Sequence, residues 1–176
     1  MKDVELKLIS ELMKNSRRSD RELAKAVGVS QPTVSRLIKK LEKDGVIKEY
    51  TMIPDFGQLG YQIMAVQFLG KSETQNEEKS KTLRTAAIEL ERKSPQACLT
   101  VTDGIGLGKG RMLINFYEDY TGYTEGLRTI SSLPNVEADN VETFLIDLNN
   151  KRNFRVLSMT EIARHVKTIG KTSKEE

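Results

Sequence analysis

One cysteine, one histidine and no long apolar run set the first limits on this 176-residue chain. The single Cys98 rules out an intramolecular disulfide and is expected to be a small hydrophobe inside a core. The lone His165 has no plausible metal-ligand company, so neither a metal site nor a cofactor is expected. No Ser/His/Asp spacing or paired-carboxylate motif stands out, and one histidine is poor material for acid–base work, so enzyme chemistry is not expected either. No apolar stretch approaches the ~18 residues that suggest a membrane span, and no secretory signal pattern opens the chain. The expectation is a soluble, cytoplasmic protein with no membrane partner.

What is present is charge, unevenly placed. The net charge is +3, with 28 basic and 25 acidic side chains. Residues 1–50 carry 12 basic and 8 acidic groups, residues 51–148 carry 9 and 14, and residues 149–176 carry 7 and 3. Basic ends around an acidic middle suit a head and tail that meet a polyanion, separated by a segment that does not.

The most informative stretch is SRRSDRELAKAVGVSQPTVSRLIKKLEKDGVIKEY, residues 16–50. Ser19 stands three residues before Glu22, the spacing of a capping box that satisfies free N–H groups at a helix start. Leu23, Ala24 and Val27 follow at helical spacing, and Gly28 suits the left-handed residue that closes a helix. Ser30 is placed to cap the next helix, with Pro32 in its first turn, where a missing N–H costs little. Val34, Leu37, Ile38 and Leu41 form one apolar stripe. Asp44–Gly45 ends that helix, and Val46–Tyr50 has the composition of a strand. Two short helices, a glycine turn, a basic helix and the start of a β-wing outline a winged helix-turn-helix, which points to binding of double-stranded DNA.

The side of the second helix away from its stripe carries Pro32, Ser35, Arg36, Lys39 and Lys43, with Gln31 and Thr33 near its N-terminus. In helix-turn-helix proteins that end approaches base edges. Ser30, Gln31, Thr33, Ser35 and Arg36 are therefore the candidates near the bases. Arginine suits guanine O6/N7 and glutamine suits adenine N6/N7. Lys39, Lys40 and Lys43 are expected on phosphates, which position a protein without reading sequence, and Arg17, Arg18 and Arg21 could do the same from the preceding turn. A basic helix face can also be a merely solvated face; the two-helix spacing, the glycine turn and the following strand are what favour DNA.

These residues resemble the Lrp/AsnC, or feast/famine, regulators of bacteria and archaea. The likeness runs through Leu8–Ile9, Leu12, Arg17, Ser19, Glu22–Leu23–Ala24, Gly28–Val29–Ser30, Val34, Leu41–Glu42, Gly45–Val46–Ile47, Tyr50 and Leu59–Gly60. It covers about the first 60 residues. The family commonly has an arginine seven residues after the position of Ser30, where this chain has Leu37; either Arg36 substitutes or a structural salt bridge is missing. The resemblance implies an α+β protein with a winged helix-turn-helix over 1–52, a linker over 53–60 and a βαββαβ, ferredoxin-like ligand and assembly domain over 61–148. It also implies a homodimer through packed sheets, assembling further, often to an octamer of four dimers, and a small-molecule effector such as an amino acid.

The remaining residues fit that order. Tyr61–Leu69, Ala97–Thr102 and Arg111–Tyr117 have strand composition, and Val136–Leu148 holds a fourth strand. Leu83, Ala86, Ala87 and Leu90 repeat at helical spacing within Glu77–Lys93, after a polar loop over Lys71–Asn76. Tyr123, Leu127 and Ile130 mark a second helix, closed by Leu133–Pro134–Asn135. Periodicity alone gives only four strands and two helices in an α/β sandwich. In a dimer, two recognition helices about 34 Å apart would read successive turns of a pseudo-palindrome.

Two segments stand apart. Asp103–Gly110 carries four alternating glycines. It lacks the pattern of a Walker loop, and no helix follows as a dinucleotide fingerprint needs. It is either an anion- or amino-acid-binding loop or a bulged β-hairpin. Effector-sensing members often have a Gly-x-x-Asp turn here, whereas this chain has Asp103–Gly104 and no further acid until Glu118. In a ligand site Asp103 would hold an ammonium group, and the N–H groups around Gly104, Gly106 and Gly108 a carboxylate. The second segment is an extension over 149–176. Ser158 and Glu161 repeat the capping-box spacing, and Met159, Ile162, Val166 and Ile169 make a short a/d stripe. That helix could pack on its own domain, join dimers, or bring Arg152, Arg155, Arg164 and Lys167 to DNA; Lys171–Glu176 is expected to be disordered. The leading reading is thus a sequence-specific transcriptional regulator. The alternative is a small-molecule sensor or assembly scaffold with secondary, weakly specific DNA binding.

Overall fold

The computed structural model describes residues 1–70, 81–82, 84–86, 88–89, 97–133, 136, 141–153 and 157–169. The chain divides into two units, Met1–Pro54 together with Arg155–Glu176, and Asp55–Phe154. The loop expected over Lys71–Asn76, much of the 77–93 helix, Pro134–Asn135, Arg155 and the tail from 170 lie outside the described residues.

The first unit is built on α1 (Asp3–Lys14), α2 (Asp20–Val27) and α3 (Gln31–Lys43). Leu8, Leu12, Leu23, Ala24, Val34 and Leu41 form its core, lined by Ile9, Val27, Val29, Leu37, Ile38 and Ile47. Each fully buried leucine there contributes about 1.5–3 kcal/mol relative to exposure. The α2 start follows the expected capping box: Glu22 N donates to Ser19 Oγ at 3.3 Å, and Ser19 N donates back to Glu22 Oε2 at 2.8 Å. Gly28 ends α2 at φ 80°, its N–H donating to Ala24 O, a left-handed position at which any Cβ would be strained.

Local readings need correcting in this unit. Ser30 occupies the cap position of α3 but its side chain accepts no backbone N–H; its hydroxyl meets that of Thr33 at 2.8 Å. The run Val46–Tyr50 forms no strand. The N–H groups of Val46 and Ile47 both donate to Leu41 O, so this segment begins by closing the end of α3, and no described strand of the unit lies beside it to form a ladder.

The same unit holds α5 (Thr160–Val166); Ala163 is fully buried and its carbonyl accepts from the buried Ser10 Oγ of α1 at 2.6 Å. The expected a/d stripe is buried only in part: Val166 is half-buried, while Met159, Ile162 and Ile169 are all more than two-fifths exposed. A small residue lets two helix backbones approach closely, and that approach selects Ala163. The expected capping box is also not formed. Met159 stands at the cap, Thr160 N donates to Ser158 Oγ, and Glu161 pairs with Arg164.

The second unit is a four-stranded antiparallel sheet in the order β2-β3-β1-β4, formed by β1 (Ile63–Gly70), β2 (Ala97–Gly106), β3 (Lys109–Tyr117) and β4 (Glu142–Asp147). Helical residues at 81–82, 84–86 and 88–89 lie between β1 and β2 in the chain, and α4 (Tyr120–Ser131) lies between β3 and β4. This is the split βαβ order of a ferredoxin-like α+β fold. Strand alternation sends Ile63, Ala65 and Leu69 to one side, where Tyr123, Leu127 and Ile130 of α4 cover them.

The glycine run is absorbed into a β-hairpin. β2 continues to Gly106 and β3 begins at Lys109, with a register shift between Asp103 and Gly106. The two turn residues, Leu107 and Gly108, have φ of 51° and 68°, the positive values that primed two-residue turns require. Cys98 is half-buried rather than in the core, its Sγ 3.6 Å from Thr100 O.

Candidate nucleic-acid interface

The geometry of α3 follows from its periodicity. With Arg36 set at zero and roughly 100° per residue, Lys43, Lys40 and Lys39 lie near −20°, +40° and −60°, while Val34, Leu37, Ile38 and Leu41 span roughly 100° to 200°. Burying the stripe in the head core therefore fixes the cationic side outward. Gln31, Arg36, Lys39 and Lys43 are exposed, and Thr33 and Ser35 are partly so. Leu37 packs against the core, so at this position the chain has an apolar contact where the family resemblance led one to look for an arginine.

The candidate cations fall into two groups. Among the described residues, no hydrogen bond or ion pair engages the side chains of Arg17, Arg21, Gln31, Ser35, Arg36, Lys39 or Lys43. Arg18 and Lys40 are engaged. Lys40 Nζ lies 2.7 Å from Glu5 Oε1, a carboxylate only 4% exposed on α1. Arg18 donates from Nη1 to Glu11 Oε2 and from Nη2 to Glu22 O at 3.4 Å. Glu11 also receives Lys14 Nζ at 2.8 Å and Lys167 Nζ of the segment after α5 at 2.7 Å. Hydrogen bonds from Lys14, Lys167 and Arg18 hold the Glu11 carboxyl down to about 2, against desolvation that pushes it up. The Lys40 ammonium, followed by the Lys2 backbone N–H, likewise lowers Glu5, and Lys40 is raised in turn.

Glu5 and Glu11 were not picked out from the sequence. Glu11 precedes Arg18 by seven residues with a helix end between them, and Glu5 precedes Lys40 by 35, so no periodicity links either pair. The one available signal was acidic residues on the side of an otherwise amphipathic first helix.

The extension brings little to a DNA face. Lys167 is committed to Glu11 and Arg164 to Glu161, while Arg152 belongs to the other unit. His165 is exposed on α5, and no group that could hold a metal occurs among the described residues.

Among the effector candidates, Asp103 is engaged within the hairpin. Asp103 Oδ1 accepts from Arg111 Nε at 2.7 Å and Nη2 at 2.6 Å, across the strand pair that places these residues opposite each other. Its charge is therefore already matched. Gly104, Gly106 and Gly108 are exposed along the hairpin.

A family profile described as winged helix-turn-helix DNA-binding matches residues 1–48. An uncharacterised HTH-type transcriptional regulator of Pyrococcus abyssi is 45% identical over 58 residues, 33% of this chain and 39% of that protein. The leucine-responsive regulatory protein of Rhizobium meliloti is 34% identical over 92 residues, 52% of this chain and 59% of that protein. The chain thus spans only 39–59% of the length of these relatives. Among solved structures, PH0061 of Pyrococcus horikoshii superposes with a TM-score of 0.67 at 25% identity, covering 89% of this chain and 98% of its own. E. coli AsnC gives 0.66 at 18% identity over 89% and 97%. A transcriptional regulator of Neisseria meningitidis, solved as a complex with L-Met, gives 0.68 at 18% identity over 92% and 99%. At 18% identity the last two speak to the fold alone. The resemblance to Lrp/AsnC regulators holds in sequence for the head and in fold over most of the chain. No described helix is long and apolar enough to cross a membrane.

Proposed function

We propose that this Lrp/AsnC-type chain is a sequence-specific DNA-binding transcriptional regulator that works as a dimer or larger assembly. The observation that carries the reading is the outward side of α3, where Arg36, Lys39 and Lys43 are exposed, with Gln31 exposed at the N-terminal end, on a helix whose other side is locked into the head core. Arg36 and Gln31 are the base readers, with Thr33 and Ser35 beside them; the Ser30–Thr33 hydroxyl pair sits at the same N-terminal end. Lys39, Lys43, Arg17 and Arg21 meet phosphates. Regulation is then steric and electrostatic, by occupying a promoter or recruiting to it, with no bond made or broken. The named relatives are transcriptional regulators, which supports the reading without fixing the operator.

Arg36→Ala should cost about 1–3 kcal/mol on the preferred site and relax sequence preference at one position. Lys39→Ala should weaken binding to all duplexes alike and reduce the salt slope by about one. Anisotropy titrations of preferred and scrambled duplexes check both. Equal affinity for every sequence, before and after Arg36→Ala, would end the claim of specific readout.

We also propose an amino-acid effector, the class of ligand in the L-Met complex of the Neisseria fold neighbour. Asp103 would take part only after giving up Arg111. Thermal-shift screening of amino acids is the test, since a ligand bound only by the folded state raises the melting point.

A further inference from the structure

The head carries more positive charge near its DNA side than it leaves free. Lys40 lies within roughly 40° of Arg36 and 60° of Lys43 around α3, so it belongs to the same cationic side. Its ammonium is nevertheless held 2.7 Å from the Glu5 carboxylate. Glu5 is itself anchored, accepting the Lys2 backbone N–H at 2.8 Å, and at 3% exposure it cannot turn away to water. Arg18 stands between Arg17 and Ser19 in the turn that leads to α2, and is drawn back onto Glu11 and Glu22 O. Glu11 is 8% exposed and pinned by Lys14 and Lys167. Both carboxylates come from α1, the helix that brings none of the candidate base readers, and each grips one cation on the side where phosphates would lie.

We infer that Glu5 and Glu11 are positioning residues that withhold Lys40 and Arg18 from the DNA backbone, limiting affinity for duplexes of any sequence while leaving base readout to Arg36 and Gln31. A phosphate oxygen and a carboxylate oxygen compete for the same N–H donors, and a carboxylate already in place and shielded from water wins at ordinary salt. Because phosphate contacts supply the sequence-independent part of binding, keeping two cations out of that set raises the ratio of specific to non-specific affinity. This inference rests on the proposed DNA reading and deepens it.

The test is the salt dependence of binding of the full chain to a scrambled duplex. Lys40→Ala and Arg18→Ala should leave the slope of log K against log[salt] unchanged, because neither side chain neutralises a phosphate. Lys39→Ala serves as the contrast and should lower the slope by about 0.9. Glu5→Gln and Glu11→Gln should each steepen it by about 0.9 by releasing one cation, and tighten non-specific binding severalfold at low salt. The double variants Glu5→Gln/Lys40→Ala and Glu11→Gln/Arg18→Ala should return to the wild-type slope, and Glu11→Asp should restore part of the withholding. A merely structural role for the carboxylates would lower the melting temperature without moving the slope.

A slope lowered by Lys40→Ala or Arg18→Ala as much as by Lys39→Ala would overturn the inference; Lys40, with its side chain 54% exposed, is the less disruptive of the two to remove, and a melting curve of each variant confirms that the slope is read on folded protein. A wild-type chain that binds no duplex at low salt would defeat the DNA reading itself and this inference with it, an outcome distinct from an altered slope.

Discussion

Glu11 is the residue on which the head's electrostatics converge. One carboxylate faces Lys14, Lys167 and Arg18, and those partners hold it at about 2 from an ordinary value of 4.5. A carboxyl depressed in the folded state stabilises that state at pH values above the unfolded value. The contribution is lost as pH falls from about 4.5 towards about 2, where the folded form at last takes up its proton. Glu11→Gln removes this dependence along with the charge. In melts of the full chain between pH 6 and 2.5, the wild type should lose stability more steeply below pH 4.5 than Glu11→Gln does. Parallel curves would show that the three partners do not act on this carboxyl. The same residue marks the limit of what the sequence displays. Ser19, Glu22 and Gly28 could be read from the sequence because each acts on backbone groups within four residues. Arg36, Lys39 and Lys43 could be placed because the apolar stripe of α3 fixes what points away from it. That Arg18 and Lys40 are occupied could not be read, since their carboxylates belong to a helix packed beside them only in three dimensions.

Among the elements, close approach separates what was readable from what was not. Helix α4 was visible from Tyr123, Leu127 and Ile130, but the reason it sits so near the sheet is Gly126. A Cβ there would lie 2.5 Å from Tyr117 Cε1 and 2.8 Å from its hydroxyl oxygen. The Tyr117 ring cannot swing aside freely. It is 6% exposed, stacks edge-on against Tyr123 at 5.7 Å, and its hydroxyl donates to Gln67 Oε1 at 3.3 Å. Burial pushes that hydroxyl's pKa up to about 12, so it remains a donor at any working pH. Alanine is the better helix former by roughly 1 kcal/mol, so propensity alone predicts that Gly126→Ala stabilises. Overpacking of about 1–3 kcal/mol opposes this, and because the obstacle is a rigid ring the overpacking outweighs the gain in propensity. Gly126→Ala should lower the denaturant midpoint, and an unchanged or higher midpoint would show that α4 can move outward at little cost. The C-terminal helix teaches the same lesson from the other side. Its hydrophobic spacing pointed to Met159, Ile162, Val166 and Ile169, yet the fully buried residue is Ala163, where close approach to α1 also lets the Ser10 hydroxyl reach the backbone carbonyl across 153 positions of chain. Strand composition was legible in all four strands of the sheet. It misled at Val46–Tyr50 because a strand exists only where a neighbour completes its ladder.

At the scale of the whole molecule, the proposed dimer is expected to form through the side of the sheet opposite α4. Opposite α4, alternation places Val66 and Phe68 of β1, Met112 and Ile114 of β3, and Phe144 and Ile146 of β4 on one face, with Phe116 there stacked against Phe56 at 4.0 Å. An antiparallel sheet that faces water usually alternates to polar residues on that side. Here Glu142, Thr100 and Thr102 lie at the margins of that face, its middle is apolar, and Phe144 is left 65% exposed. An apolar patch of this kind marks an interaction surface, and in the proposed dimer a second copy of the same face would cover it with two-fold symmetry. Such a pair would carry two copies of α3, as reading a pseudo-palindrome requires. Phe144→Lys tests the arrangement with little risk to the monomer's fold, because the side chain it replaces is mostly in water already. Light scattering should show the wild type as a dimer or a multiple of one, and the variant with its self-association weakened at least about tenfold, since burying a lysine opposite its own image leaves two unpaired charges in an apolar seam. Affinity for a two-half-site duplex should fall in parallel, while affinity for a single half-site stays as it was. A variant that keeps the wild-type mass at micromolar concentration would mean that the copies meet through some other surface.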